Sequence, residues 1–324
     1  VFDIINHKMT KKVIKSTEEF GIRLKEKRLP YDNQRWKTLI DLILLPSDIY
    51  KVLTDYKNRF GVFPNLIKPS TFNECIQQSK FISRKSIYTQ LADKLQVREY
   101  IENTIGKQYL CELLWFGTNI QEARKIQLPD SFVIKANNGS GTNFIVYNKS
   151  SIDWDHLDNL TQRWLSKDLS TQFAEWQYRW IKPKLLIEEL LRSEDNQIPN
   201  DYKFFCFHGK VKMVQVDMDR FTNHTLTMLN RNFEVLPIHH VYPTFRGEIR
   251  KPECFELMIS LAERLAKNEK FIRIDFYDLN GRPIFGEATL HPSAGREKFE
   301  PPIWDKKLGD IFLKRCGGDD LSGA

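Results

Sequence analysis

Cysteine is scarce and scattered in this chain. The 324 residues hold five, Cys75, Cys111, Cys206, Cys254 and Cys316, an odd number with no CxxC pair. That argues against a disulfide framework and a structural zinc site, and for reduced thiols in a cytosolic protein. Long apolar runs are also missing. TLIDLILLP is broken by Asp41 and falls far short of the ~20 residues that a membrane span needs. No cationic-then-apolar leader with a small-residue cleavage site is visible, so nothing points to secretion. The chain begins at Val1 rather than Met, as a piece of a longer polypeptide would. Internal repeats and low-complexity segments are absent. Neither charge sign prevails by much: 49 Lys+Arg against 42 Asp+Glu leave +7, and the pI is near 9.0. That balance fits phosphorylated ligands, polyanionic sugars or nucleic acid, but the signs are interspersed and select none of them. What remains, 41% hydrophobic and 28% charged residues, excludes disorder, collagen and coiled coil. The length suffices for two domains.

The first 125 residues read as mostly helical. Ser16-Thr17-Glu18-Glu19 has the form of a helix start, and RWKTLIDLILL carries apolar residues at helical spacing. RFGVFPNLIKPSTF reads as a loop. Thr71 then caps a helix through TFNECIQQSKF, with Glu74 placed for a capping box. One further helix is expected over YTQLADKLQVREYIENTI, which makes Lys94 a solvated helix residue when taken alone. The texture changes at Pro129. FVIKA and FIVY are short strands separated by NNGSGTN, and DWDHLDNLTQRWLSKD is an amphipathic helix. LLIEELL reads as a buried strand ending in acids. KFFCF and KVKMVQVDMD are joined by a turn at His208-Gly209-Lys210, and ECFELMISLAERLAKN is helical. FIRIDFYD and PIFGEATL bracket Asn280-Gly281, the strongest short hairpin signal. Mostly hairpin-connected strands with interspersed helices imply an α+β fold.

Three features point to chemistry. In NNGSGTN, small residues between two strands let backbone N–H groups approach a phosphate, although such a loop is by itself more often a plain connection. Lys135 strengthens it, because a lysine in an otherwise apolar strand is costly unless it meets an anion. The last hairpin is sharper. Asp275 and Glu287 sit in apolar, aromatic strands and repel each other unless a cation lies between them. Two hard oxygen ligands suit Mg²⁺, which takes its other ligands from water and nucleotide phosphates. A strict two-residue turn pairs Asp275 with Gly286 and puts Glu287 on the opposite face. One bulge or a three-residue loop brings both carboxylates to one face, and the metal reading predicts that irregularity. One carboxylate facing water is an equal reading from spacing alone. Arg273, two residues before Asp275, shares its face, either as its ion-pair partner or as a holder of transferring charge. Glu188 and Glu189 at the end of LLIEELL are either an exposed acidic turn or an edge able to meet an adenine ring. His239-His240 lacks further ligands at metal spacing, and Ser293 has no GxSxG context.

Taken in order, RFGVFPNLIKPSTFNECIQ, LADKLQVREYI, LPDSFVIKANNGSGTN, LLIEELL, DYKFFCFHGKV, RIDFYDLNGRPIFGEATLHPSAG and KLGDIF resemble the TupA-like branch of the ATP-grasp superfamily. That branch is associated with bacterial cell-surface polysaccharide synthesis, and the resemblance runs from about 57 to 312. It implies an ATP-grasp fold of two α+β subdomains gripping ATP, over 126–190 and 191–324, behind a mostly helical region over 1–125. It further implies that Lys94 and Lys135 contact ATP phosphates and that Asn138, Gly139, Ser140 and Gly141 form the covering loop. Glu188 would accept from the adenine amine, with Glu189 and Leu190 supplying backbone hinge contacts. Asp275 and Glu287 would hold Mg²⁺, and Arg273 would steady an acyl phosphate, with Lys203 and Arg220 as further anion contacts. Thr289 stands where many ATP-grasp enzymes have Asn, which bears on the third metal ligand. Cys75 replaces a residue that is often basic.

The implied activity is a bacterial, cytoplasmic, ATP- and Mg²⁺-dependent carboxylate–amine ligation through an acyl phosphate. Its substrates would be an amino acid and an acidic sugar or glycan such as a uronic acid, with no nucleic acid and no transmembrane segment. Two enzymatic rivals are a kinase-like phosphotransferase and a glycosyltransferase, the latter having only Asp217-Met218-Asp219 in its favour. A basic polysaccharide- or nucleic-acid-binding module would leave Lys135, Asp275 and Glu287 without purpose.

Overall fold

A computed structural model describes residues 34–315 apart from 195, 221, 240 and 241, together with 15, 16, 19 and 321. Thr17, Glu18, His240 and Cys316 therefore lie outside the described residues. The chain divides into two compact units, Val1–Pro64 with Asp168–Trp180, and Asn65–Lys167 with Ile181–Ala324.

In the first unit, which also holds α7 (Leu169–Phe173), α1 (Gln34–Phe60) buries Ile40, Leu44, Val52 and Tyr56, the four-residue spacing that puts side chains on one helical face. Between them Asp48 is also buried. It is paired with the equally buried Arg179, whose Nη2 donates to both Asp48 oxygens at 3.0 Å while Nη1 reaches Asp41 Oδ1 at 2.7 Å.

The second unit holds two antiparallel sheets. The four-stranded sheet has the order β1 (Leu113–Gly117), β4 (Leu185–Glu189), β2 (Phe132–Ala136), β3 (Asn143–Val146). Strand β1 was not expected, and its pairing with β4 makes β4 an interior strand, which corrects the edge reading of LLIEELL. Alternation sets the faces. Phe132, Ile134, Ala136, Leu185 and Ile187 pack against α5 (Ile120–Ala123) and α6 (Trp154–Ser166), while Lys135 and Glu188 face the other way.

The five-stranded sheet has the order β7 (Thr225–Asn230), β6 (Lys210–Met218), β5 (Asp201–Phe207), β8 (Phe271–Leu279), β9 (Arg282–Thr289). The β5–β6 and β8–β9 turns are of the left-handed two-residue kind, His208-Gly209 at φ 50° and 78° and Asn280-Gly281 at 54° and 79°. Helix α8 (Phe255–Ala266) covers one face, with Phe255 against Phe204 and Phe204 against Phe276. The other face is split. Its apolar end, Phe205, Phe207 and Phe271, is sealed by Phe72 of α2 (Phe72–Ile82), by Phe299, and by Trp304 and Leu308 of α9 (Ile303–Phe312). Its charged end stays open.

Helix α2 starts as expected with Thr71 Oγ1 accepting from Glu74 N, but Glu74 does not close the box onto Thr71. Its carboxylate accepts instead from Asn65 N and Ser70 N, both at 2.8 Å, and so holds the preceding loop. Against this helix start, Gly309 of α9 lies so close that a Cβ would fall 2.6 Å from Thr71 C. Gly309→Ala is expected to lower stability by about 1–3 kcal/mol, because backbone cannot yield as a side chain can. Urea unfolding checks it. An unchanged midpoint would mean that the two helices separate freely.

Candidate active site

The long helix expected over 88–105 is broken into α3 (Ile87–Ala92) and α4 (Val97–Thr104), and Lys94 sits in the break. The cause is Asp93, whose Oδ1 accepts from Leu95 N at 2.9 Å and Gln96 N at 3.3 Å, a local turn that competes with the helix. Asn137 ties this break to the glycine-bearing loop. Its amide donates to Asp93 Oδ1 at 2.9 Å, its carbonyl oxygen accepts from Lys184 N at 2.7 Å, and its backbone oxygen accepts from Lys94 N. Lys94 Nζ is thereby aimed at the loop, donating to Gly139 O, and burial lowers its pKa against the pull of Glu287. Of the loop itself, Asn138 and Gly139 are buried, Asn138 donating to Lys167 O, whereas Ser140 and Gly141 are exposed. Gly141 has φ 69° with nothing within 4 Å of a Cβ, so its role is conformational and no neighbour crowds it.

On the open face of the four-stranded sheet, Lys135 Nζ donates to Glu188 Oε2 at 2.7 Å. Arg98 of α4 donates to Glu188 Oε1 at 2.9 Å and to Cys111 O at 2.7 Å. Lys135 thus meets an anion, as its place in an apolar strand required. Burial would discharge it, but Glu188 outweighs burial and raises its pKa. A carboxylate has about four acceptor positions, so Glu188 keeps capacity for another donor. Glu189 Oε1 accepts from Glu112 N at 3.0 Å. Glu188, Glu189 and Leu190 line a cavity of about 240 Å³ with the apolar residues Leu91, Val133 and Ile145.

The last hairpin carries the irregularity that the metal reading requires. Phe276 pairs with Phe285, but Asp275 pairs with Glu287, so Gly286 is the extra residue of a bulge and both carboxylates lie opposite each other on one face. Gly286 suits the position, since a Cβ there would fall 3.2 Å from Tyr277 and 3.3 Å from Asp275 O. The sheet register extends the row: Gln215 pairs with Lys203, Lys203 with Asp275, Asp275 with Glu287. Arg273 donates twice to Asp275 at 2.7 Å and once to Thr289 Oγ1 at 2.9 Å, and Thr289 donates to Glu287 Oε1 at 2.8 Å. Burial raises the Asp275 pKa in spite of Arg273, while Lys94 and Arg273 hold Glu287 down against burial.

One row further along, Lys203 pairs with both Asp201 and Asp217, the latter at 2.9 Å, and Arg220 donates to Asp201 Oδ2 at 2.8 Å. Lys94, Lys135, Lys203, Arg220, Arg273, Asp275 and Glu287 with the loop Gly139–Gly141 all border one cavity of about 540 Å³. The smaller cavity shares Lys94, Lys135, Arg220 and Glu287 with it. An apolar chamber with acceptors thus adjoins a charged one. The sequence reading missed Arg98, Asn137, Asp201 and His224. A buried Asp at 201 within an apolar strand was the one available signal, and it had no visible partner before the fold was known.

Burial pushes the Asp217 carboxyl up, but Lys203 with the hydrogen bonds from Lys203, His224 and Gln215 outweighs it and holds the pKa below the ordinary 3.8. A lowered carboxyl contributes stability that is fully present above 3.8 and is lost as pH falls through the lower folded value. Acid titration should therefore show wild type losing stability below that point, with a shallower slope in Asp217→Asn. Equal slopes would contradict the pairing.

Two antiparallel sheets presenting charged faces to adjoining cavities, a glycine-bearing hairpin loop with paired lysines, and a carboxylate pair on a terminal hairpin define the ATP-grasp class of ligases. The chain belongs to the TupA-like ATP-grasp family, whose sequence model matches residues 74–313, and is an enzyme of that class. Similar solved structures include D-alanine–D-alanine ligase from Bacillus anthracis, at 18% identity and TM-score 0.42, covering 69% of this chain and 67% of that one. The D-alanine–D-alanine ligase from Helicobacter pylori is similar at 10% identity and TM-score 0.42, covering 76% and 67%. An L-amino acid ligase from Bacillus licheniformis matches at 9% identity and TM-score 0.43, covering 82% and 63%. The chain thus spans about two thirds of these proteins' lengths. No curated protein matches it. Among the described residues, no helix is long and apolar enough to cross a membrane, and no group of three or more His, Cys, Asp or Glu is placed to hold a metal ion.

Proposed function

We propose that the chain joins a carboxylate to an amine, with ATP and Mg²⁺, through an acyl phosphate. The observation that carries this is the bulge at Gly286, which sets Asp275 and Glu287 side by side on the charged cavity floor. Two hard oxygens, with Thr289 beside them, fit Mg²⁺, which completes its shell from phosphates and water. When bound, it would neutralise charge developing on the transferred phosphoryl group. Arg273 now occupies the Asp275 oxygens as a cation.

The chain's own residues take the following parts. Lys94 and Lys135 hold the phosphates, Lys135 turning from Glu188 while Arg98 keeps that carboxylate neutralised. Asn138 to Gly141 cover the phosphates and exclude water, which would otherwise hydrolyse the intermediate. Glu188 accepts from the adenine amine, and Glu189 and Leu190 offer backbone contacts in the smaller cavity. Arg273 steadies the acyl phosphate, and Lys203 and Arg220 hold anionic parts of the substrate. Segments 126–190 and 191–324 act as the two nucleotide-binding lobes, and 1–125 precedes them in sequence. The substrates in this reading are an amino acid and a uronic acid of a bacterial cell-surface polysaccharide, joined in the cytoplasm.

The test is ADP release that depends on both a carboxylate and an amine, screened with uronic acids and amino acids. A phosphorylated sugar as product would instead make the chain a phosphotransferase. Binding of a sugar nucleotide without ATP would make it a glycosyltransferase.

A further inference from the structure

At the end of the charged cavity where Lys203 and Arg220 lie, two side chains, Asp217 and His224, take no part in the reaction above. Asp217, buried on β6, accepts from Lys203 at 2.9 Å and Gln215 at 2.8 Å through one oxygen, and its other oxygen lies 2.7 Å from His224 Nε2. The imidazole is held from its side by Tyr242, with ring centroids 3.8 Å apart and planes at 39°. Its backbone is set by β7, which begins at the next residue and pairs Leu226 with Asp217. Among the described residues no protein hydrogen bond reaches Nδ1, and the side chain remains 17% exposed while lining the cavity. A purely structural carboxylate–imidazole pair has no need of an open nitrogen on a cavity wall. Asp217 lies two strands across and, in register with Tyr277, two residues along from Asp275, about 12 Å at the ~4.8 Å strand spacing and ~3.3 Å rise per residue. That distance leaves room for a phosphoryl and an acyl group between them.

We propose that Asp217 and His224 form the base that activates the amine nucleophile, and that the acceptor's ammonium group binds at this end of the cavity. The proposal rests on the ligase reading. At neutral pH an alkylamine is mostly ammonium and has no lone pair to attack with. His224 donates its Nε2–H to Asp217, which orients the ring, and Nδ1 takes one proton from the ammonium. The freed lone pair forms the C–N bond to the acyl carbon, and the C–O bond breaks as phosphate leaves with its electrons. The second nitrogen proton passes to the departing phosphate. Lys203, Arg220, Asp201, Tyr242 and Tyr277 are the other charged or titratable groups at this end. None of them combines an open lone pair with a carboxylate behind it.

Hydroxylamine separates the two half-reactions, because it is neutral at pH 7.5 and needs no base. Wild type and His224→Gln are given ATP, Mg²⁺ and, as carboxylate, D-glucuronate, D-galacturonate or each of the twenty amino acids. The nucleophile is first hydroxylamine and then each of the twenty amino acids. The variant is expected to form hydroxamate within about threefold of wild type and to lose amide formation by roughly 10²–10³-fold. Equal loss of both products, or retained amide formation, overturns the base. Hydroxamate without any amide in wild type overturns the acceptor site, whereas neither hydroxamate nor ADP in wild type sinks the ligase reading itself. Should the variant misfold, long-range ¹H–¹⁵N correlations on wild type decide. Neutral His224 is expected as the Nε2–H form, and the Nδ1–H form would direct its lone pair at Asp217 and overturn the proposal.

Discussion

Glu287→Gln should lower Mg²⁺-dependent ADP formation by roughly 10²–10³-fold while the fold survives. The replacement keeps the shape, and Thr289 Oγ1, now donating to Glu287 Oε1 at 2.8 Å, finds an amide oxygen in the same place. What is lost is charge. Glu287 is held ionised by Lys94 first and Arg273 next, so its neutral counterpart leaves two cations and one fewer anion around the hairpin. Removing that carboxylate also halves the acidic pair available to a divalent cation. The readouts are ADP release and the melting temperature. Unchanged turnover with an unchanged melt would return Asp275 and Glu287 to the role of partners for Arg273 and Lys94.

Arg179→Met is expected to destabilise the first unit by about 3–5 kcal/mol. The guanidinium is 2% exposed and makes two bonds to Asp48 at 3.0 Å and one to Asp41 at 2.7 Å. Asp48 and Asp41 raise the arginine's pKa in spite of its burial, so the cation is charged in the folded state. Methionine fills the volume but leaves two carboxylates without this counter-charge. Lysine at this position should recover little, because a single ammonium cannot reproduce the two-pronged geometry. Denaturant unfolding followed by tryptophan fluorescence, for which Trp36, Trp176 and Trp180 lie in this unit, measures the change. A loss below ~1 kcal/mol would mean that water enters and solvates the acids.

Much of the site was legible from residue types alone. A lysine in FVIKA, small residues in NNGSGTN and two acids in an apolar hairpin are each expensive unless they meet a ligand or an opposite charge, and that cost is local. It needs no knowledge of the fold. The hairpin went further, because strict alternation in strands turned the spacing of Asp275 and Glu287 into a demand for one irregularity, and the bulge lies at Gly286. Order of motifs along the chain then identified the family.

Other features depended on neighbours distant in sequence. The helix expected through Lys94 is broken where Asp93 bonds the backbone two and three residues on, and that turn is held by Asn137, 44 positions away. The interior place of LLIEELL has no local mark, because the strand that covers it, β1, is short and its LLWFG pattern has no clear alternation. Arg98 and His224 carry no local cost that marks them, and Asp201 is marked only by its apolar strand. A solvated surface would accept Arg98 and His224, and only the tertiary fold brought the three against Glu188, Asp217 and Lys203. Local sequence determined which residues had to find an opposite charge, since desolvation and side-chain direction act within a few residues. Which charge each one found was decided by the tertiary fold, because pairing across strands and between loops depends on contacts that no local pattern encodes.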